Sequence, residues 1–171
     1  MSENRISQRE LDRRRYIIIP RTKENPMKKC EDVMTQNPVC CLPDDSVAKV
    51  AELMSSENVG SIPVIESRQS MKLAGIITDR DLALKIVGNG HDVKSTTVQK
   101  VMTRQVVTCR ADDDVQKALD AMATHQLRRI PVVDKDNRIV GIIAQADVAT
   151  RVNQPAKTAE MVKEISQAGT N

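Results

Sequence analysis

Phenylalanine and tryptophan are missing from this chain of 171 residues, and Tyr16 is its one aromatic. A core must therefore be built from aliphatic side chains and methionine, and any planar ligand must sit between aliphatic walls. Aromatic platforms for stacking single-stranded nucleic acid are excluded. Long apolar runs are just as scarce. Near the charged N-terminus only Ile17 to Ile19 are consecutively apolar, which is short of a signal-peptide core, and no stretch approaches the roughly 20 residues of a membrane span. The expectation is a cytoplasmic protein that does not enter a membrane. Cys30, Cys40, Cys41 and Cys109 show no zinc-ligand spacing, so they are read as reduced and partly buried. His91 and His125 have no nucleophile or second ligand at a recognisable spacing and are read as surface residues. No catalytic residue, metal or cofactor is expected.

What is present is a globular composition, 40% hydrophobic and 29% charged, with a net charge of +3. That charge is unevenly placed. Residues 1–29 hold nine Lys and Arg against four acids, a net +5, which leaves about −2 for the rest. The basicity belongs to an N-terminal extension, and a phosphate-tracking surface across the body is not expected.

The organising feature is a repeat. VMTQNPVCCLPDDSVAKVAELMSSENVGSIPVIE from Val33 aligns without gaps to VMTRQVVTCRADDDVQKALDAMATHQLRRIPVVD from Val101, an offset of 68 residues. The match resumes at GII after Ser67 to Lys72 in the first copy and the shorter Lys135 to Arg138 in the second, as a hairpin loop would allow. Each copy reads as strand, helix, strand, strand, helix. Val47, Val50, Ala51 and Met54 fall at helical spacing, as do Val115, Ala118, Leu119 and Met122, so one face of each helix is predicted to be core. A unit of this size buries too little alone. The expected architecture is α+β, two pseudosymmetric β-α-β-β-α repeats packed as one module. The chain divides into a basic extension (1–29), a first repeat (30–87), a polar linker (88–97), a second repeat (98–152) and a C-terminal helix and tail (153–171). In the last segment Ala159, Val162 and Ile165 offer the apolar face of a short closing helix after Pro155.

The third strand of each copy ends at a strand-to-helix junction, GIITDRD at Gly75 to Asp81 and GIIAQAD at Gly141 to Asp147. Thr78 and Asp81 have the spacing of a capping box, which is one complete explanation of them. Three features favour another use. Glycine inside a strand often marks close approach by another backbone or a ligand. A helix N-terminus suits a phosphate. In the second copy Ala144 removes the cap hydroxyl while Asp147 stays, so that aspartate is expected to have some use other than capping. A carboxylate can accept both hydroxyls of a ribose diol, and Gly-x-x-Thr-x-x-Asp has the chemistry of a nucleotide monophosphate cradle.

The paired repeat, with VMT at each start, IPV at each middle strand and GIITDRD at the first junction, resembles a tandem cystathionine-beta-synthase (CBS) domain pair over about Cys30 to Val152. The resemblance implies two pseudosymmetric sites in a cleft between the repeats, taking AMP, ADP, ATP or a related adenosine ligand. By the same carry-over Asp81 holds ribose hydroxyls and Thr78 a phosphate, Gly75 to Ile77 leave backbone room, and Cys40 to Leu42 with Ser61, Ile62, Pro63 and Val64 wall the base, Cys41 among them. In the second site Asp147 remains, the threonine role is lost at Ala144, and Thr108, Arg129, Ile130 and Pro131 line the cleft. Arg128 and Arg129 stand where the family often presents a basic side chain to phosphates, although a solvated surface pair is the competing reading. The departure at Ala144 makes the second site weaker or differently specific.

The resulting expectation is a regulatory nucleotide-binding module, a homodimer, acting on a separate client protein. An alternative, carried by charge alone, is a ligand-sensing regulator that contacts nucleic acid through its basic extension. An enzyme ranks last, because no catalytic domain is visible in the chain.

Overall fold

The computed structural model describes residues 28–151, 159 and 162–166. Most of the basic extension, Tyr16 to Ile19 included, lies outside them, as does Pro155. A short helix α1 (Cys30–Val33) and strand β1 (Thr35–Gln36) open the described chain. Helix α2 (Val47–Ser56), strands β2 (Ser61–Ile65) and β3 (Leu73–Thr78) and helix α3 complete the first repeat. Helix α3 begins as an α-turn, Asp79–Asp81, and runs on as π-helix over Leu82–Val87. After a 3-10 turn (Val98–Lys100) the order recurs as β4 (Cys109–Arg110), α4 (Val115–Thr124), β5 (Arg129–Val133), β6 (Ile139–Ala144) and α5 (Gln145–Arg151). The two repeats form an α+β fold, as the alignment implied. The length difference falls in the hairpin connections, residues 66–72 against 134–138.

Each repeat is completed by the other. β2 and β3 pair antiparallel, and β1, from the first repeat, joins the second repeat's sheet in the order β1-β6-β5-β4, with Thr35 opposite Ile142. The reciprocal pairing sets Thr103 opposite Ile76, and their backbones exchange two hydrogen bonds of 2.9 Å. A second pair of bridges, Lys29 with Asp114 and Thr97 with Ser46, repeats the exchange one turn earlier. The cores follow suit. Cys30 and Val33 are fully buried among Val115, Leu119, Met122, Ile130 and Ile143, whereas Val98, Val101 and Met102 pack with Val47, Val50, Ile62 and Ile77. Burying one such valine contributes about 1.5–3 kcal/mol, so the opening segment of each copy ties the two halves together.

The exchange also explains the strand glycines. A Cβ on Gly75 would lie 2.9 Å from both Met102 Sδ and the Thr103 carbonyl oxygen, and one on Gly141 would collide with the Met34 side chain. The partner that needs glycine there is the exchanged segment, and the space beside Gly75 is filled by Met102 and Thr103.

Helix α4 buries all four residues that its spacing picked out. Helix α2 buries Val47, Val50 and Met54, while Ala51 is exposed because the apolar stripe turns toward Leu53, which packs on the core instead. Residues 162–166 are helical, with Ile165 in the second repeat's core and Val162 packed against it, and Ala159 is exposed. A third cluster, Cys40, Ile65 and Ile139 with Leu42, Met71 and Leu73, joins the repeats at the hairpin tips. There Leu73 N–H donates to the Asn137 carbonyl (3.0 Å) and Ile139 N–H to that of Met71 (2.9 Å). Among the described residues no helix is long and apolar enough to cross a membrane.

Candidate functional site

Strand alternation sorts the residues around the junctions. In the β2–β3 pair Ile62, Val64 and Ile77 point into the first repeat's core, so Ser61, Pro63, Ile76 and Thr78 share the opposite face, with Ser61 directly across from Thr78. In the β5–β6 pair Ile130, Val132 and Ile143 are core, which leaves Arg129, Pro131, Ile142 and Ala144 on the equivalent face, with Arg129 across from Ala144. The ends of these faces approach each other. A Cβ on Gly60 would meet Asp79 Oδ2 at 2.6 Å and the Arg129 guanidinium at 3.2 Å, so a cation of the second repeat and a carboxylate of the first converge on one glycine. Among the described residues the Arg129 guanidinium has no hydrogen bond or ion pair, although the residue is half-buried.

At the first junction both halves of the capping box form. Thr78 has the extended backbone of an N-cap; its Oγ1 accepts from Asp81 N–H (3.2 Å), and its own N–H donates to Asp81 Oδ2 (2.9 Å). The hydroxyl also donates to Oδ2 (2.7 Å), while Oδ1 pairs with Lys85 Nζ (2.7 Å). Burial alone pulls the Asp81 carboxyl upward, but the bonds from Lys85 and from the Thr78 hydroxyl and backbone outweigh it and hold the group below the ordinary carboxylate value. The site therefore presents an ionised carboxylate at neutral pH, bonded to Thr78, and across the strand pair from Thr78 stands a buried hydroxyl without a partner. Ser61 is 4% exposed, and its Oγ has no hydrogen bond. Leaving such a group unpaired costs about 1–3 kcal/mol.

At the second junction Asp147 still caps. Its Oδ2 accepts Ala144 N–H (2.8 Å), because that half of the box needs only the backbone and survives the loss of the hydroxyl. Its Oδ1 is approached by Thr35 Oγ1 (3.4 Å) and Arg151 Nη2 (3.5 Å). The sequence expectation that Asp147 must have a use other than capping is corrected on that point.

The remaining sequence candidates separate by face. Ile62, Ile77 and Ile130 are fully buried in the cores, so their side chains lie away from the face that carries Ser61, Thr78 and Arg129. Cys41 also packs in the first core, where burial pushes its thiol up to about 12. Cys109, its repeat equivalent, meets the Cys30 thiol across the exchange, and that bond together with burial raises the Cys109 pKa. Thr108 is half-buried beside β4, and Arg128 is exposed, giving its carbonyl to Gln145 N–H (3.0 Å). All four cysteines are free, His91 and His125 are exposed, and among the described residues no group of three or more His, Cys, Asp and Glu is placed to hold a metal ion. Sequence reasoning missed Gly60, Asp79, Lys85, Arg151 and Thr35. Lys85 and Arg151 did leave a signal, since each follows its aspartate by four residues, the spacing of a helical ion pair.

Known proteins share the fold and the repeat. The chain is 39% identical over 128 residues to the CBS domain-containing protein YhcV of Bacillus subtilis, covering 75% of this chain and 86% of that protein. Among solved structures it is similar to the CBS domain pair of protein MJ0100 in complex with 5′-methylthioadenosine and S-adenosyl-L-methionine, at 27% identity and a TM-score of 0.64, covering 72% of this chain and 94% of that one. It is also similar to CBSX2 in complex with AMP, at 26% identity and a TM-score of 0.61, covering 79% and 98%. The family description CBS domain matches twice, at residues 30–88 and 98–153, which together exceed half of the chain. On that match, and on the reciprocal repeats that it spans, the chain belongs to the CBS domain family.

Proposed function

We propose that the module binds an adenosine compound, a nucleotide or a relative such as 5′-methylthioadenosine, in the cleft between the repeats, and that occupancy regulates a separate client protein. The observation that carries this reading is the Ser61 hydroxyl, buried and without a partner on the face it shares with Thr78 and near the ionised Asp81. The half-buried Arg129 guanidinium, also without a partner, stands across the seam as a complement for a phosphate. Adenosine compounds in two structures of the same fold support the choice of ligand class. In this reading Asp81 takes the ribose hydroxyls, Thr78 and Arg129 face the phosphate, and Ser61, Pro63 and Ile76 border the base. The Asp147 site, with Thr108, Arg128, Pro131 and Ala144 around it, is the weaker of the two.

Calorimetric titration with AMP, ADP, ATP, 5′-methylthioadenosine and S-adenosylmethionine tests it. Asp81→Ala removes charge-assisted hydrogen bonds to the ribose and is expected to weaken binding about 10- to 150-fold. Unchanged affinity in a folded Asp81→Ala protein overturns the reading. A homodimer fits the exposed Leu84 and Val87 on helix α3, 57% and 75% exposed. Light scattering that finds only monomer at micromolar concentration, with and without nucleotide, removes that part.

A further inference from the structure

The cation that neutralises each cleft aspartate also holds the exchanged segment. Lys85 Nζ pairs with Asp81 Oδ1 and donates to the Val101 carbonyl (2.7 Å), while Arg151 approaches Asp147 Oδ1 and donates to the carbonyls of Val33 (2.9 Å) and Met34 (3.1 Å). Val101 and Val33 are equivalent positions in the two repeats, as are Lys85 and Arg151, so the arrangement occurs twice with different cations. In both repeats Oδ2 is committed to the helix cap, by Thr78 N–H and Oγ1 in one and by Ala144 N–H in the other. At Asp81, where Oδ2 already accepts two hydrogen bonds, the oxygen left for a ligand hydroxyl is Oδ1, the one on which Lys85 rests; at Asp147 Oδ1 carries Arg151 together with the approach of Thr35 Oγ1.

We propose that Lys85 and Arg151 couple an occupant of the cleft to the exchanged segments: a diol that engages Oδ1 competes with the cation, whose hold on the segment's carbonyls then loosens. This rests on the adenosine-site reading given above. The two segments have different outlets. Residues 97–104 continue directly from the linker between the repeats, whereas residues 28–36 continue directly from the basic extension, and Lys28 Nζ donates to the Arg151 carbonyl at their base. Occupancy at Asp81 thus acts on the inter-repeat connection, and occupancy at Asp147 on the anchor of the extension. Both routes give a regulatory module an output without a catalytic step.

Hydrogen–deuterium exchange on the full chain, with AMP as the probe and calorimetry on the same samples, tests the coupling. Without ligand, Lys85→Met is expected to speed exchange in peptides spanning 97–104 by about threefold or more while leaving 28–36 unchanged, and Arg151→Met to do the reverse. Saturating AMP should speed exchange in 97–104 of the wild type and add nothing in Lys85→Met. Because coupling is reciprocal, AMP should bind Lys85→Met about two- to fivefold more tightly than wild type. AMP binding without faster exchange in 97–104, or weaker binding by Lys85→Met, overturns the coupling alone. Absence of heat with AMP and with every other adenosine compound overturns the site reading and this proposal together.

Discussion

At Thr78–Asp81 the cap hydroxyl and the carboxylate come from one repeat and serve one helix, whereas at Ala144–Asp147 the hydroxyl that approaches the carboxylate belongs to Thr35, on a segment exchanged from the other repeat. The backbone half of the cap is the same in both. What differs is how the rest of the carboxylate is held: a lysine at 2.7 Å in one repeat, an arginine at 3.5 Å and a threonine at 3.4 Å in the other. Two junctions that share the backbone half of a cap can therefore share a stability role and differ in how the rest of the carboxylate is held.

The comparison extends to the glycine in each third strand, where substitution should have the largest effect on stability. Gly75→Ala puts a methyl against the Thr103 carbonyl, which is backbone and paired with Ile76, whereas Gly141→Ala meets the Met34 side chain, which can rotate in part. Overpacking of this kind costs about 1–3 kcal/mol. Gly75→Ala is expected near the upper end and Gly141→Ala nearer the lower, a difference that thermal unfolding resolves at about 2–4 °C per kcal/mol. Equal shifts would mean that the two exchanged segments are held with equal rigidity.

A smaller change should move the second junction toward the first. Ala144→Thr restores the hydroxyl half of the capping box and is expected to stabilise the protein by about 0.5–1 kcal/mol in denaturant unfolding. Loss of stability would show that the new hydroxyl interferes with the approach of Thr35 to Asp147.

Acid should reveal the junction's charge. The folded Asp81 carboxyl lies below its ordinary value, so its contribution is complete above the unfolded value of about 3.9 and is lost as pH falls through the lower folded one. Asp45 and Asp113 are lowered in the same direction: burial raises each, and bonds from the Leu42 N–H and Lys49, or from Lys117 and the Arg110 N–H, overcome it. The melting temperature is expected to be level above about pH 5 and to fall below about pH 4. Asp81→Asn should make that fall shallower, and an unchanged acid limb would contradict the assignment.

Much of this was legible in the repeat. Periodicity located both long helices, and the offset placed the extra residues in the first hairpin. The exchange was not legible, because two copies of one pattern do not say which copy a strand joins. Thr35 opposite Ile76 and Thr35 opposite Ile142 are the same pairing in sequence. That ambiguity hid the partner of Gly75 and Gly141. Asp147 was misjudged for a local reason: the acid of a capping box bonds a backbone N–H, which Ala144 supplies as well as threonine does. Ile62, Ile77 and Ile130 are separable from the sequence, since alternation puts them on the face opposite Pro63 and Pro131. The unpaired Ser61 hydroxyl is a property of packing, and no spacing announces it.

The central claim is that the cleft binds an adenosine compound and that the Thr78–Asp81 site does so more tightly than the Asp147 site. Calorimetric titration of AMP into wild type, Asp81→Ala and Asp147→Ala, each shown to be folded by its unfolding transition, measures this directly. The account predicts that Asp81→Ala removes the tighter phase, by about 10- to 150-fold in affinity, and that Asp147→Ala leaves that phase in place. A tighter phase that persists in Asp81→Ala and disappears in Asp147→Ala would contradict it.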